Sequence, residues 1–178
     1  MFHLHRDIHS PPLFSIDAAS PTYLFAVGLQ LPVTSTFALP LSAYYLYLQG
    51  RVIQQRLRLQ NSIGQSTPKS SAKSADPLSD EPDLLAATCR AQGNFVENVP
   101  LALIMAGLAE LNGGNKTAIT TALSMLLVAR VAHADFGLLN HKKNFAGIGR
   151  PVGFFTTAGV LVGLSGYAAW LVKGFWGF

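Results

Sequence analysis

The chain has 178 residues and a mass of 19.1 kDa, enough for one domain and too little for two ordinary ones. Apolar residues make up 49% and charged residues 12%, about half the charged fraction of a soluble domain; with a mean hydropathy of +0.31 this disfavours a disordered chain, a coiled coil and an ordinary water-soluble enzyme. A net charge of only +4 is a small excess for a nucleic-acid surface, and the single cysteine, Cys89, excludes an internal disulfide and a cysteine-built zinc site.

In chain order, residues 1–20 carry His3, His5 and His9 with two prolines. They read as a flexible tail whose histidines are incidental rather than metal ligands. A bilayer core needs roughly 20 mostly apolar helical residues, and four stretches offer them. The first, residues 23–48, has no charge; Pro32 and Pro40 imply kinks, and Tyr44, Tyr45 and Tyr47 form an interfacial belt at its end. It is too long for the apolar region of a signal peptide, and no basic segment adjoins it. Residues 60–83, rich in Ser, Pro, Lys and Asp, read as a flexible loop without a core.

The second span, 84–111, is apolar in its later half but holds Arg90, Asn94 and Glu97 in its earlier half. Asn112-Gly113-Gly114-Asn115 is a tight turn. The third span, 118–139, contains Arg130, His133 and Asp135; Glu110 and Asp135 are expected to be interfacial. The fourth, 152–172, is uncharged and carries Gly159, Gly163 and Gly166, which read as intrachain packing, with a face for another copy as the alternative. Four antiparallel membrane helices follow, an all-α integral membrane bundle.

Basic residues set the orientation. Arg51, Arg56, Arg58, Lys69 and Lys73 in the first loop, with Lys142, Lys143 and Arg150 in the third, outnumber Arg6, Lys116 and Lys173 on the other side. The first and third loops are therefore expected in the cytoplasm, with both termini opposite.

The charges within the spans are the informative feature, because each costs roughly 2.5–3.5 kcal/mol at mid-bilayer. Arg90, Asn94 and Glu97 lie at offsets of four and three and share a helix face; Arg130 and His133 share another. Together with Arg51 and Arg150 they form a polar set at one depth. Arginine forks suit carboxylates, and Glu97 suits an ammonium. A ligand with two carboxylates and one amine fits, and glutathione is such a molecule. Spacing alone leaves open whether these charges bind a guest or neutralise one another between helices.

The words of these segments resemble the MAPEG family, membrane-associated proteins in eicosanoid and glutathione metabolism. The resemblance rests on Arg90-Ala-Gln-Gly-Asn94-Phe-Val-Glu97-Asn98-Val-Pro100, on Ala129-Arg130-Val131-Ala132-His133, and on Gly149-Arg150-Pro151-Val152-Gly153. It is further carried by Leu108-Ala-Glu-Leu-Asn-Gly113, which is similar to the short microbial-type members. It implies a homotrimer binding glutathione between subunits near the cytoplasmic face, in the endoplasmic reticulum or another cellular membrane. It implies Arg51, Arg90, Asn94, Glu97, Arg130 and His133 as glutathione contacts and Arg150 as the catalytic residue beside the thiol. The activity implied is transfer of glutathione to, or peroxide reduction of, lipophilic molecules from the bilayer, with no metal and no nucleic-acid partner. The chain departs from many members in having Asn98, Gly137 and Phe154 where they carry tyrosine or another hydroxylated aromatic. That departure keeps a second expectation in view, a non-catalytic protein using the polar row for assembly or lipid binding.

Overall fold

The computed structural model describes residues 30–60, 63–64, 84–139 and 147–177. The expected N-terminal tail, the start of the first span and nearly all of the 60–83 loop lie outside these residues. Among the described residues there are four long helices: α1 (Pro32–Leu59), α2 (Leu84–Leu111), α3 (Lys116–His133) and α4 (Gly149–Leu171). A π-helical turn, Ala134–Leu138, prolongs α3, and a 3-10 turn, Lys173–Trp176, follows α4.

Helix α1 begins with Pro32, whose missing N–H costs nothing in a first turn. Its start has no side-chain cap of its own. The cap comes from the end of α2. Glu110 accepts from Val33 N at 2.8 Å, Thr34 N at 2.9 Å and the Thr34 hydroxyl at 2.7 Å. The carboxylate satisfies orphan donors and sits at the positive end of the helix dipole. Glu110 is therefore buried and engaged, not merely interfacial.

The helix continues past Leu48 to Leu59 and closes on Gln60 in the left-handed region, φ 50°. Arg51 thus lies within α1, not beyond it. α1 is long enough to cross a bilayer but is not among the helices apolar enough to do so; α2, the α3–π unit (Lys116–Leu138) and α4 are. Three tyrosines, several hydroxyl residues and two prolines dilute its hydropathy.

Helix α2 buries Ala91, Phe95, Val99, Ala102, Ala106 and Ala109, a stripe at spacings of three and four. Its small residues let neighbours approach closely. Asn115 caps α3, its side chain accepting from Ala118 N at 3.1 Å. The buried stripe of α3 runs Ile119, Leu123, Leu126 and then Arg130 and His133. Two polar residues therefore occupy positions the helical period reserves for the core.

Contacts tie helix ends together. Asn115 N donates to the Tyr167 hydroxyl near the end of α4 at 2.7 Å. At the other end of α3, Leu139 N bonds Ala134 O at 2.8 Å, the wider i to i+5 pattern of a π turn. Among the described residues, a Cβ at Gly159, Gly163 or Gly166 would meet nothing within 4 Å, so none of the three packs against the described helices.

Candidate functional site

Helices α3 and α4 approach so closely at one end that side chains are excluded. A Cβ on Gly153 would lie 2.5 Å from both Ala129 O and His133 Cβ; one on Gly149 would collide with Ala132 O. A Cβ on Gly137 would come within 2.6 Å of Arg150 N. Position 137 has no room for a tyrosine here, since the Arg150 backbone fills that space. Gly147 N donates to Gly137 O at 3.3 Å and Arg150 N to Gly147 O at 3.0 Å. The first turn of α4 is thereby strapped to the π turn, and Arg150 is placed beside His133.

The result is a cavity of about 400 Å³, within the range of small-molecule sites. Its polar lining is Arg90 and Asn94 from α2, His133 from α3 and Arg150 from α4. Its apolar lining is Leu138, Pro151, Phe154 and Phe155. The two phenyl rings meet edge to face, 5.4 Å apart, and Phe155 is 71% exposed on the outer surface of the helix. The apolar wall thus opens toward the side where lipid would lie.

No acidic side chain among the described residues pairs with Arg90 or Arg150. Arg150 also sits at the positive end of α4, where no acidic residue occupies the first turn. Both features favour an anion. His133 Nδ1 lies 2.9 Å from Arg150 O. A carbonyl only accepts, so Nδ1 carries the hydrogen and the neutral ring keeps a lone pair on Nε2. Among the described residues the buried side-chain nitrogen or oxygen without a partner is Arg130 Nε. His133 lines the cavity, and its neutral ring supplies an acceptor among donors.

Of the residues singled out from sequence, Arg90, Asn94, His133 and Arg150 come together on this wall. Glu97, one turn further along α2, is exposed and not part of it. Its row runs beside the buried stripe of α2 rather than on it, so only Asn94 is half-buried. Arg51 lies elsewhere, its guanidinium 3.0 Å from Asp135, which also accepts from the Tyr44 hydroxyl at 2.7 Å. Asp135 is thus engaged in the bundle, not simply interfacial. Arg130 is enclosed behind the polar wall. Asn98 turns its amide back onto Asn94 O at 2.7 Å. Sequence reasoning did not single out Leu138, Pro151 or Phe155. The available signal was the four-residue spacing of Gly149 and Gly153, which marks close helix approach.

A family model described as the MAPEG family matches residues 34–170. The chain belongs to the MAPEG family. The match spans all four helices, so the chain is an integral membrane protein of a glutathione-related family, and the MAPEG resemblance noted in its motifs holds. No curated protein matches the chain.

Proposed function

We propose that this MAPEG protein is a glutathione-dependent transferase that activates the glutathione thiol for attack on lipophilic electrophiles, or for peroxide reduction. One observation carries the reading: Arg90 and Arg150, which pair with no acidic side chain among the described residues, line one cavity together with Asn94, His133 and the apolar Leu138, Pro151, Phe154 and Phe155. The polar wall matches the carboxylates and amide donors of the tripeptide, and the apolar wall suits a second substrate arriving from the bilayer. A thiolate is the nucleophile, and a free thiol has pKa near 8.5. Arg150 lowers it by favouring the anion. The thiol proton leaves to water, the sulfur forms a bond to the electrophilic carbon, and the leaving group departs with its electron pair.

The working unit in this proposal is a homotrimer of antiparallel bundles. The outward Gly159, Gly163 and Gly166 face supports close contact between copies, and exposed Glu97, outside this chain's cavity, would serve a site completed by a neighbouring subunit. The contacts from Thr34 to Glu110 and from Asn115 to Tyr167 join opposite ends of successive helices, as an antiparallel bundle requires. Loops one and three face the cytoplasm in this arrangement, by the distribution of lysine and arginine.

The test is a glutathione titration of the detergent-solubilised protein, followed by turnover of an aromatic chloro-electrophile. Arg150→Ala is expected to lower kcat/KM about 100-fold, the scale of losing one preorganised charge donor. Absence of glutathione binding to the wild type overturns the proposal. A second reading, a non-catalytic protein, is favoured by the lack of any tyrosine at 98, 137 and 154. It predicts that Glu97→Ala disrupts assembly and that glutathione leaves the thermal midpoint unchanged.

A further inference from the structure

Arg130 is 3% exposed and lies in a helix that crosses the bilayer, yet no carboxylate among the described residues pairs with it. Its acceptors are all neutral. One terminal nitrogen points to Asn94 O of α2 at 3.4 Å, a long contact. The other donates to Gly153 O of α4 at 3.0 Å and to the Thr157 hydroxyl of the same helix. Nε has no partner. A buried cation held only by dipoles keeps most of its field, because nothing of opposite sign cancels it and little water screens it.

Its position gives that field a direction. Asn94 lines the cavity, and Gly153 adjoins Phe154, another lining residue, and presses against His133. The guanidinium therefore sits directly behind the cavity without lining it. We propose that Arg130 is a positioning residue, an enclosed cation that ties α2, α3 and α4 together behind the cavity and lends its charge to whatever anion the cavity holds. This rests on the reading of the cavity as a thiol-binding site, and it removes Arg130 from the residues that touch the ligand.

The other ionisable groups around the cavity are accounted for by element. α2 contributes Arg90, with Glu97 exposed one turn away; α3 contributes His133; α4 contributes Arg150. α1 contributes no residue to the wall; its Tyr44 is bonded, with Arg51, to Asp135 on the π turn. None of these neutralises Arg130.

A reporter thiol reads the field without glutathione. In a Cys89→Ser background, Phe154→Cys places a sulfur on the cavity wall next to Gly153. The pH dependence of its alkylation by iodoacetamide gives its pKa. Arg130→Gln is expected to raise that pKa by about one unit, the low end of the effect of a nearby opposite charge. Arg130→Lys keeps the charge and loses the fork, so the pKa stays and the thermal midpoint falls. Thr157→Asp keeps the arginine but sets an anion against it, and is expected to raise the pKa as Arg130→Gln does; it decides the matter if Arg130→Gln is not recovered folded. An unchanged pKa in Arg130→Gln, or in Thr157→Asp when that variant decides, overturns the inference. A wild type that fails to bind glutathione overturns the proposed function instead, and leaves this measurement valid.

Discussion

Gly153→Ala places a methyl group where the structure leaves no space. The new carbon would stand 2.5 Å from Ala129 O and 2.5 Å from His133 Cβ, against about 3.5–4.0 Å for an optimal carbon contact. α3 and α4 must part by about 1 Å here, and one obstacle is a backbone carbonyl that cannot rotate away. Overpacking of this kind costs roughly 1–3 kcal/mol. Replacing a mid-helix glycine by alanine returns about 0.8–1 kcal/mol, so a net loss of roughly 0–2 kcal/mol is expected.

The effect on the site is larger than the effect on the fold. His133 and Arg150 belong to the two helices being forced apart, and a misplacement of about 1 Å can cost about 100-fold in rate. Gly159→Ala is the control, since its added carbon meets nothing among the described residues. Circular dichroism melting in detergent reads stability, and the glutathione titration with turnover reads the site. Gly153→Ala should lower the midpoint modestly and activity strongly. A Gly153→Ala protein with wild-type midpoint and wild-type glutathione affinity would refute the account of how α4 is seated on α3.

Three further outcomes follow from other contacts. Glu110→Ala strips the cap from α1 and leaves the Val33 and Thr34 amides without their acceptor, a loss of roughly 1–3 kcal/mol visible as a lower thermal midpoint with the cavity residues untouched. Arg51→Ala and Asp135→Asn, singly and together, should give a coupling of no more than about 1 kcal/mol, because the pair is only partly buried; a denaturation cycle measures it. Gly163→Leu should leave helical content intact and reduce the oligomer seen by cross-linking, if copies meet on this outward face.

The chain's own chemistry made much of this legible. Uncharged runs of about twenty residues mark α4, and the Gly and Asn turn at 112–115 separates α2 from α3 as expected, because hydropathy and turn propensity are local properties. The polar residues that meet at the cavity were also recognisable, since helical spacing puts Arg90 with Asn94, and Arg130 with His133, on shared faces whatever surrounds them. Helix α1 was less so. Its extension to Leu59 carries charge beyond any apolar run, and its first turn depends on a carboxylate 77 residues away.

Periodicity says which residues share a face, but not which way that face turns. Asn94 reaches the cavity while Glu97 of the same row stays outside, because the packed stripe of α2 is centred on Ala91, Phe95 and Val99. Arg130 and His133 are neighbours on one face, yet Arg130 is shut behind the wall while His133 lines the cavity. That division was decided by the close seating of α4 on α3 through Gly149 and Gly153, a contact between segments far apart in the chain. Burial and partner choice are relations between helices, and they come into existence only once the bundle has closed.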